Sequence, residues 1–404
     1  MKHITYRELP GRLGYYGLLG AIGLVVLIGL LSALYMEHHG HYVTGMTNQI
    51  VWGMPHVFAV FLIVAASGIL NVGSIGTVFG KAGYKPLGRI SALAAIASLV
   101  GGLVVLVLDL GHPDRLIVAM TYYNFKSIFA WNIILYNGFV AIVAVYLWTM
   151  MERKMNRFYK PAGFVAFVWR LILTTGTGSI FGFLVARQGY DAAIMGPMFV
   201  ALSFSFGLAF FMLVVRALMA GAKFPVGDMT TRRLKNLLGV FIAAAFYFVV
   251  VMHLTNLYAT EHHGVEAFIL LNGGIYTSLF WIGYVILGTA VPLALVYHPA
   301  TGSSNTWVTV AAALVILGGL SLIYVIIIGG QAYPLVLFPG MEVSSSFFDG
   351  QVNSYSPTLP EFLLGLGGVG LSLALIMVVM RVLRLMPVTM ADDEMQEYLE
   401  TEQH

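Results

Sequence analysis

The 404-residue chain has no cysteine. That removes disulfides, thiolate zinc sites, cysteine-ligated iron–sulfur clusters and a cysteine nucleophile from its own chemistry. Any cluster that works with this chain must sit on a partner. Charge is scarce too: Asp, Glu, Lys and Arg make up 10% of residues against 59% hydrophobic, with a mean hydropathy of +0.86. A water-facing surface needs far more charge, so the composition excludes a soluble globular domain and indicates an integral membrane protein. The net charge of +3 decides little, because in a membrane protein it matters which loops hold the Lys and Arg. No cleavable signal peptide is expected, since the first apolar run, Gly14 to Met36, is long enough to span and no convincing small-residue cleavage site follows it.

A span needs about 20 apolar residues, and ten segments qualify: 14–36, 50–72, 89–109, 127–150, 163–186, 196–219, 237–258, 277–297, 306–329 and 358–381. The fold class expected is therefore all-α, a polytopic membrane protein with ten transmembrane helices, arranged as two four-helix bundles plus flanking helices. The chain reads as one transmembrane domain over 1–404. Its tail at 385–404 is acidic and forms a short solvated helix or stays flexible, and the longest other extramembrane piece is 330–357, rich in Ser, Pro and Gly. Seventeen Lys and Arg fall on the side holding the N-terminus, from Lys2 to Arg384, while only Arg115, Lys126 and Arg187 fall opposite. That imbalance puts both termini in the cytoplasm and supports an even number of spans. A weak echo, ALYMEHHGHYV after span one and NLYATEHHGVE after span seven, fits either a duplicated bundle or coincidence.

Polar residues in the spans crowd toward the outer face. Asn48, Trp52 and His56 are spaced i, i+4, i+8, which stacks them on one face of span two. Pro55 weakens that helix's hydrogen-bond ladder, and Ala65 to Gly68 let a helix or a flat ring approach closely. After span three, VLDLGHPDR (107–115) puts Asp109, His112, Asp114 and Arg115 within seven positions. Asp109 and Arg115 either form a fixed pair across the turn, which Gly111 and Pro113 end, or Asp109 handles protons. Tyr122, Tyr123, Asn124, Trp131 and Asn132 enter span four, and His253 and Asn256 lie at similar depth on span seven. Intramembrane ionisable groups are costly, so convergence at one depth points to a shared polar pocket open to the outer face. Span five carries Thr174, Thr175, Thr177 and Ser179, whose hydroxyls either bond back to the preceding turn or form an inward proton path. Arg170 has no carboxylate at its depth and is expected to snorkel to the cytoplasmic face.

The order NQIVWGMPH, LDLGHPDR, YNFKSIFAWN resembles the NrfD/PsrC family, membrane subunits of polysulfide reductase-like complexes. Its members share a Trp-Gly opening, an Asp-Leu-Gly-x-Pro-x-Arg turn and a following Asn-x-x-Ser. With MEHHGH and LILTTGTGSIFGFLVARQ included, the full length looks like the DsrP branch, found in DsrMKJOP complexes of dissimilatory sulfur metabolism. The resemblance implies a subunit with no haem or iron–sulfur cluster of its own, in the bacterial cytoplasmic membrane. It would exchange electrons between quinone, menaquinone or ubiquinone, and a periplasmic iron–sulfur subunit (DsrO-like). A triheme cytochrome c (DsrJ-like), a membrane cytochrome b subunit (DsrM-like) and a DsrK-like cytoplasmic subunit would stand alongside. By motif Trp52, Asp109, Arg115 and Ser127 match directly, Asn48 and His56 more loosely, and His112 stands where many relatives have Arg.

The site expected on both grounds has Asp109 and His56 as proton-handling residues. Asn48, Trp52, His56, His112, Arg115, Tyr123 and Ser127 would hold the quinone, with no metal. A quinone needs a proton donor or acceptor near each carbonyl and an apolar channel for its tail. Two other classes stay open: a haem b protein using His56 and His253 as ligands, and a secondary transporter, which ten spans and 45 Gly permit. The protein is either non-catalytic alone or the quinone-reactive subunit of an oxidoreductase complex.

Overall fold

A computed structural model describes residues 4–224, 226–335, 350–388 and 390–403. Among these residues, ten helices are long and apolar enough to cross a membrane. They are α1 (Leu13–His39), α2 (Met54–Thr77), α3 (Ala82–Leu108), α4 (Ile128–Met151), α5 (Asn156–Gly182), α6 (Met195–Ala222), α7 (Asp228–Tyr258), α8 (Ile275–Tyr297), α9 (Asn305–Ala332) and α10 (Leu359–Val382). Helices are what this composition dictates, because in hydrocarbon every backbone N–H and C=O must be satisfied within its own segment.

Packing sorts them into two rings. Helices α2, α3, α4 and α5 close one four-helix bundle, α6, α7, α8 and α9 a second, and α1 and α10 pack on each other beside α2 and α3. The expected two bundles with flanking helices are present. The bundles join through α2 and α6, the most buried spans, at 94% and 83% of their apolar windows. Gly68 and Gly207 make this possible: a Cβ on Gly68 would lie 1.6 Å from the Ser203 carbonyl, and one on Gly207 2.3 Å from the Gly68 backbone. The small stripe at 65–68 thus receives a helix.

Pro55 sits in the first turn of α2, where its missing N–H costs nothing, so the ladder is not weakened as the sequence suggests. The echo after spans one and seven has only a partial structural counterpart. Helix α1 lies at the periphery and α7 inside the second ring; of the aligned histidines, His38 is exposed and His262 buried on Gln188 O, whereas His39 and His263 are both exposed and held by a carbonyl of their own span, Tyr35 O and Leu257 O.

Both termini share one face. A two-residue strand β1 (Tyr6–Arg7) pairs antiparallel with β2 (Met386–Pro387). Arg89 lies 3.8 Å over the Tyr6 ring, and burial pushes the Tyr6 hydroxyl up to about 12. The tail is docked rather than free: its helix α11 (Asp392–Gln403) begins with Asp392, whose carboxylate accepts from the N–H groups of Asp228 and Met229 at 3.1 and 2.9 Å and caps α7. Half of the 330–357 loop expected outside the bilayer, 336–349, lies outside the described residues.

Candidate functional site: a lateral cavity in the first bundle

At the end away from the termini the first bundle opens around a cavity of about 480 Å³. Its walls come from the start of α2, the end of α3, the helical turn Leu116–Thr121, the start of α4 and the end of α5. Apolar side chains dominate, among them Val60, Leu103, Leu106, Ile133 and Ile180, and polar groups are few: Trp52, His56, Asn132, Tyr136 and Asn137. This is the composition of a site for a largely apolar ligand with a polar head.

His56 is the imidazole in the wall. Its Nδ1 lies 2.8 Å from Asp109 Oδ2, behind it, and the Asp109 side chain is fully buried. The approach is short but poorly aligned, and neither Asp109 oxygen receives a well-directed hydrogen bond among the described residues. The local backbone explains the placement: Asp109 caps α3 with its N–H still bonded to Val105 O at 3.0 Å, and Gly111, at φ +71, turns the backbone away in a conformation that favours glycine.

Trp52 forms the cavity's other polar edge, inside an aromatic cluster. Its ring centroid lies 6.1 Å from His56, 6.0 Å from Phe129 and Phe181, and 6.2 Å from Tyr190. The segment that carries it is pinned from the second bundle. Gln331 Oε1 accepts from the N–H groups of Val51 and Trp52 at 2.9 and 3.0 Å, and its Nε2 donates to Trp52 O at 3.0 Å. Arg187 donates to Gln49 O and Gln331 O at 2.7 and 2.9 Å. On the flank Met54 N–H donates to the Tyr355 hydroxyl, which donates to the buried Glu361, both at 2.7 Å. Burial first, and the Glu361 charge second, push the Tyr355 hydroxyl far above the ordinary tyrosine range, so it remains a donor.

The expected site residues separate. His56 and Trp52 line the cavity with Asp109 behind. Asn48 lies in an exposed turn before α2, which begins only at Met54, so Asn48, Trp52 and His56 do not share a helix face. His112 is exposed, with Asp114 at 3.8 Å, and Arg115 is exposed and makes no ion pair among the described residues; the pair between Asp109 and Arg115 is replaced by Asp109 with His56. Tyr123 stacks on Phe125 at 5.9 Å, and Ser127 precedes α4. None of His112, Arg115, Tyr123 and Ser127 lines the cavity.

Other wall residues escaped the sequence reading. Phe129 and Tyr136 flank Asn132, already among the outer-face polar groups read from the sequence, at helical spacing on α4, the signal that would have found them. Asn132 Nδ2 donates to Ile128 O and Gly176 O at 2.9 and 3.0 Å, tying α4 to α5. Arg170 does not snorkel: it is 1% exposed, with its guanidinium carbon 4.9 Å from the Phe167 ring and 5.2 Å from the Phe204 ring. The hydroxyls of Thr174 and Thr177 bond back to Arg170 O and Leu173 O at 2.8 and 3.0 Å, the structural arrangement rather than a continuous path. His253 faces a separate, much smaller cavity in the second bundle, so His56 and His253 are not brought to one ligand position.

The segment that contains this cavity is also the one that a family model recognises: residues 42–334 match the polysulphide reductase NrfD model. The protein belongs to the NrfD family. Across 98% of its length it is 27% identical to all of the Hdr-like menaquinol oxidoreductase integral membrane subunit of Archaeoglobus fulgidus. It is also 22% identical to a selenate reductase subunit of Mesobacillus selenatarsenatis, over 86% of its own length and 89% of that relative. A polysulfide reductase subunit of Wolinella succinogenes is 24% identical over 71% of this protein and 96% of its own length. Two of these relatives of the NrfD-family protein match over nearly their full length, and all ten spans fall within the match to the first.

Proposed function

We propose that this protein is the quinone-reactive membrane subunit of an electron-transfer complex of sulfur metabolism, working in the bacterial cytoplasmic membrane with both termini in the cytoplasm. One observation carries the reading: a histidine backed by a buried carboxylate stands in the wall of a largely apolar cavity of about 480 Å³, in the half of the bundle away from the termini. The name of the Archaeoglobus relative, a menaquinol oxidoreductase subunit, supports menaquinone or ubiquinone as the occupant.

Oxidation of a quinol to a quinone releases two electrons and two protons. His56 Nε2, toward the cavity, takes one hydroxyl proton, the resulting imidazolium is stabilised by the Asp109 carboxylate at Nδ1, and the second proton passes to water at the outer face. Trp52 and Phe129 flank the head, and the apolar wall of α3 and α4 receives the isoprenoid tail. The electrons leave to a cluster on another protein, since this one has no cysteine to ligate one. In this reading a DsrO-like iron–sulfur subunit sits on the periplasmic face, with DsrJ-like, DsrM-like and DsrK-like partners completing the complex.

His56→Leu in the assembled complex tests this. Quinol-linked reduction of the iron–sulfur partner is expected to fall while the subunits still co-purify. Wild-type turnover would remove the cavity from the reaction.

A further inference from the structure

The second bundle holds an imidazole–carboxylate pair that the quinone reading does not use. His253 Nδ1, on α7, lies 2.6 Å from Glu266 Oε2, in the connection to α8, and Asn256 Nδ2 donates to Glu266 Oε1 at 2.9 Å. Glu266 is 1% exposed and His253 7%. Both carboxylate oxygens are thus engaged, but His253 Nε2 is buried without a hydrogen-bond partner among the described residues. A cavity of about 20 Å³ adjoins the pair, and a cavity above roughly 10–15 Å³ holds one water.

We infer that His253 and Glu266 form a proton-binding centre in the second bundle, with one proton entering at His253 Nε2 through a single water. The balance is simple: the free imidazole lone pair takes H⁺, Glu266 stays a carboxylate, and no electron moves.

Charge supplies the first argument. With His253 neutral the pair is a net negative charge in an apolar wall, and one proton converts it to a neutral ion pair. The rest of the cavity wall, from α6, α8, α9 and the connecting loops, offers no ionisable side chain to balance that charge. Those elements do carry Tyr276, Tyr284, Tyr324, Arg187 and His262, but none of the five lines the cavity. A pair serving only to pin the loop would satisfy both imidazole nitrogens, as buried polar groups normally are.

Backbone geometry supplies the second. Three π-helical stretches, Phe268–Asn272, Leu279–Ala290 and Val325–Gly329, converge on this cavity through Ile269, Phe280 and Ile326. Such widened turns are rare, seldom exceed one turn, and recur at functional sites. The third stretch is shared: Val325 and Ile326 face this cavity while Ile327 faces the larger one. Gly189 likewise lines the small cavity beside Tyr190, which stacks on Trp52. The small cavity that His253 faces therefore shares one helix wall with the first site, through the adjacent Ile326 and Ile327.

Infrared difference spectroscopy on the full-length protein, with ring-labelled histidine, tests the centre across about pH 5 to 8, where imidazoles titrate. In wild type minus His253→Gln, one imidazole should convert to imidazolium while a carboxylate band persists. Glu266→Gln keeps the shape and should lose the imidazolium signal over the same range. If that variant fails to fold, the His253→Gln difference decides alone. No imidazole conversion in the difference would overturn the centre and leave a structural pin. The readout needs no quinone turnover, so it stands or falls apart from the function proposed for the first bundle.

Discussion

His56 Nδ1 meets Asp109 Oδ2 at 2.8 Å although one residue opens α2 and the other closes α3. The contact staples the ends of two antiparallel helices and also charges the wall of the cavity. Asp109→Asn separates these roles, because it keeps the volume and one oxygen but removes the charge. If the pair moves protons, quinol oxidation by the assembled complex should drop on the order of 10²-fold, the usual contribution of a positioned acid–base group. Steady-state turnover beside a thermal melt checks it: an unchanged rate with a lowered melting point would make the pair purely structural.

The exposed groups of the DLGHPDR turn should behave otherwise. Arg115 and His112 match or replace family motif positions, yet both lie outside the cavity wall. Arg115→Ala is expected to keep quinol oxidation within roughly twofold, since surface substitutions away from a site are usually near neutral. Docking of an extrinsic partner on this face is where a loss would show. Titrating the purified partner subunit against wild type and variant separates a weaker Kd from a slower kcat.

How much of this was legible in the sequence depends on what each pattern encodes. Ten apolar runs gave ten helices, and the Lys and Arg imbalance agrees with termini that meet in a β1–β2 pair. His56, Trp52 and Asp109 stood out because polar groups are rare in such a sequence. The pair that Asp109 makes did not, since sequence proximity favoured Arg115 over a histidine on another helix. Arg170 misled for a related reason: helices that are apolar all round carry no stripe to say which side faces lipid, so a cation buried between Phe167 and Phe204 reads like one that reaches for water. Gln331 was invisible because its partners are backbone groups.

The contact between the bundles yields a prediction about stability. Gly68→Val pushes methyl groups into the Ser203 carbonyl, where a Cβ alone would sit at 1.6 Å. Overpacking typically costs about 1–3 kcal/mol and more where backbone blocks relief. The variant should melt earlier in detergent or fail to accumulate. Gly20→Ala, where a Cβ meets nothing within 4 Å, is the matched control and should melt as wild type does.

At the terminal face, the hydrogen bond from Arg384 Nε, 2.8 Å long, holds the Glu8 carboxyl below its ordinary range. A carboxyl with a depressed folded value stabilises the fold above its unfolded value and loses that contribution as pH falls through the folded one. Glu8 is exposed, so the effect is small and salt-sensitive. The melting difference between wild type and Glu8→Gln should therefore be present at neutral pH and vanish in acid. A difference that grew on acidification would reverse the sign assigned here.

Gln331 supplies the most discriminating test of how the second bundle serves the first. Its amide satisfies four backbone groups at once: Val51 N–H, Trp52 N–H, Trp52 O and Ile327 O. Replacing it with Leu leaves buried donors and acceptors unmet, at about 1–3 kcal/mol for each one that water cannot reach. The strain falls on the segment that aims Trp52, whereas His56 and Asp109 sit on α2 and α3 and keep their own contact. Gln331→Leu should thus raise KM for quinol several-fold and lower kcat little, the opposite split from Asp109→Asn. Gln331→Glu keeps the acceptor oxygen for Val51 and Trp52 N–H but loses both donors, so it should fall between the two. Equal losses of kcat and KM performance in Gln331→Leu and Asp109→Asn would mean that both act only by disturbing the fold.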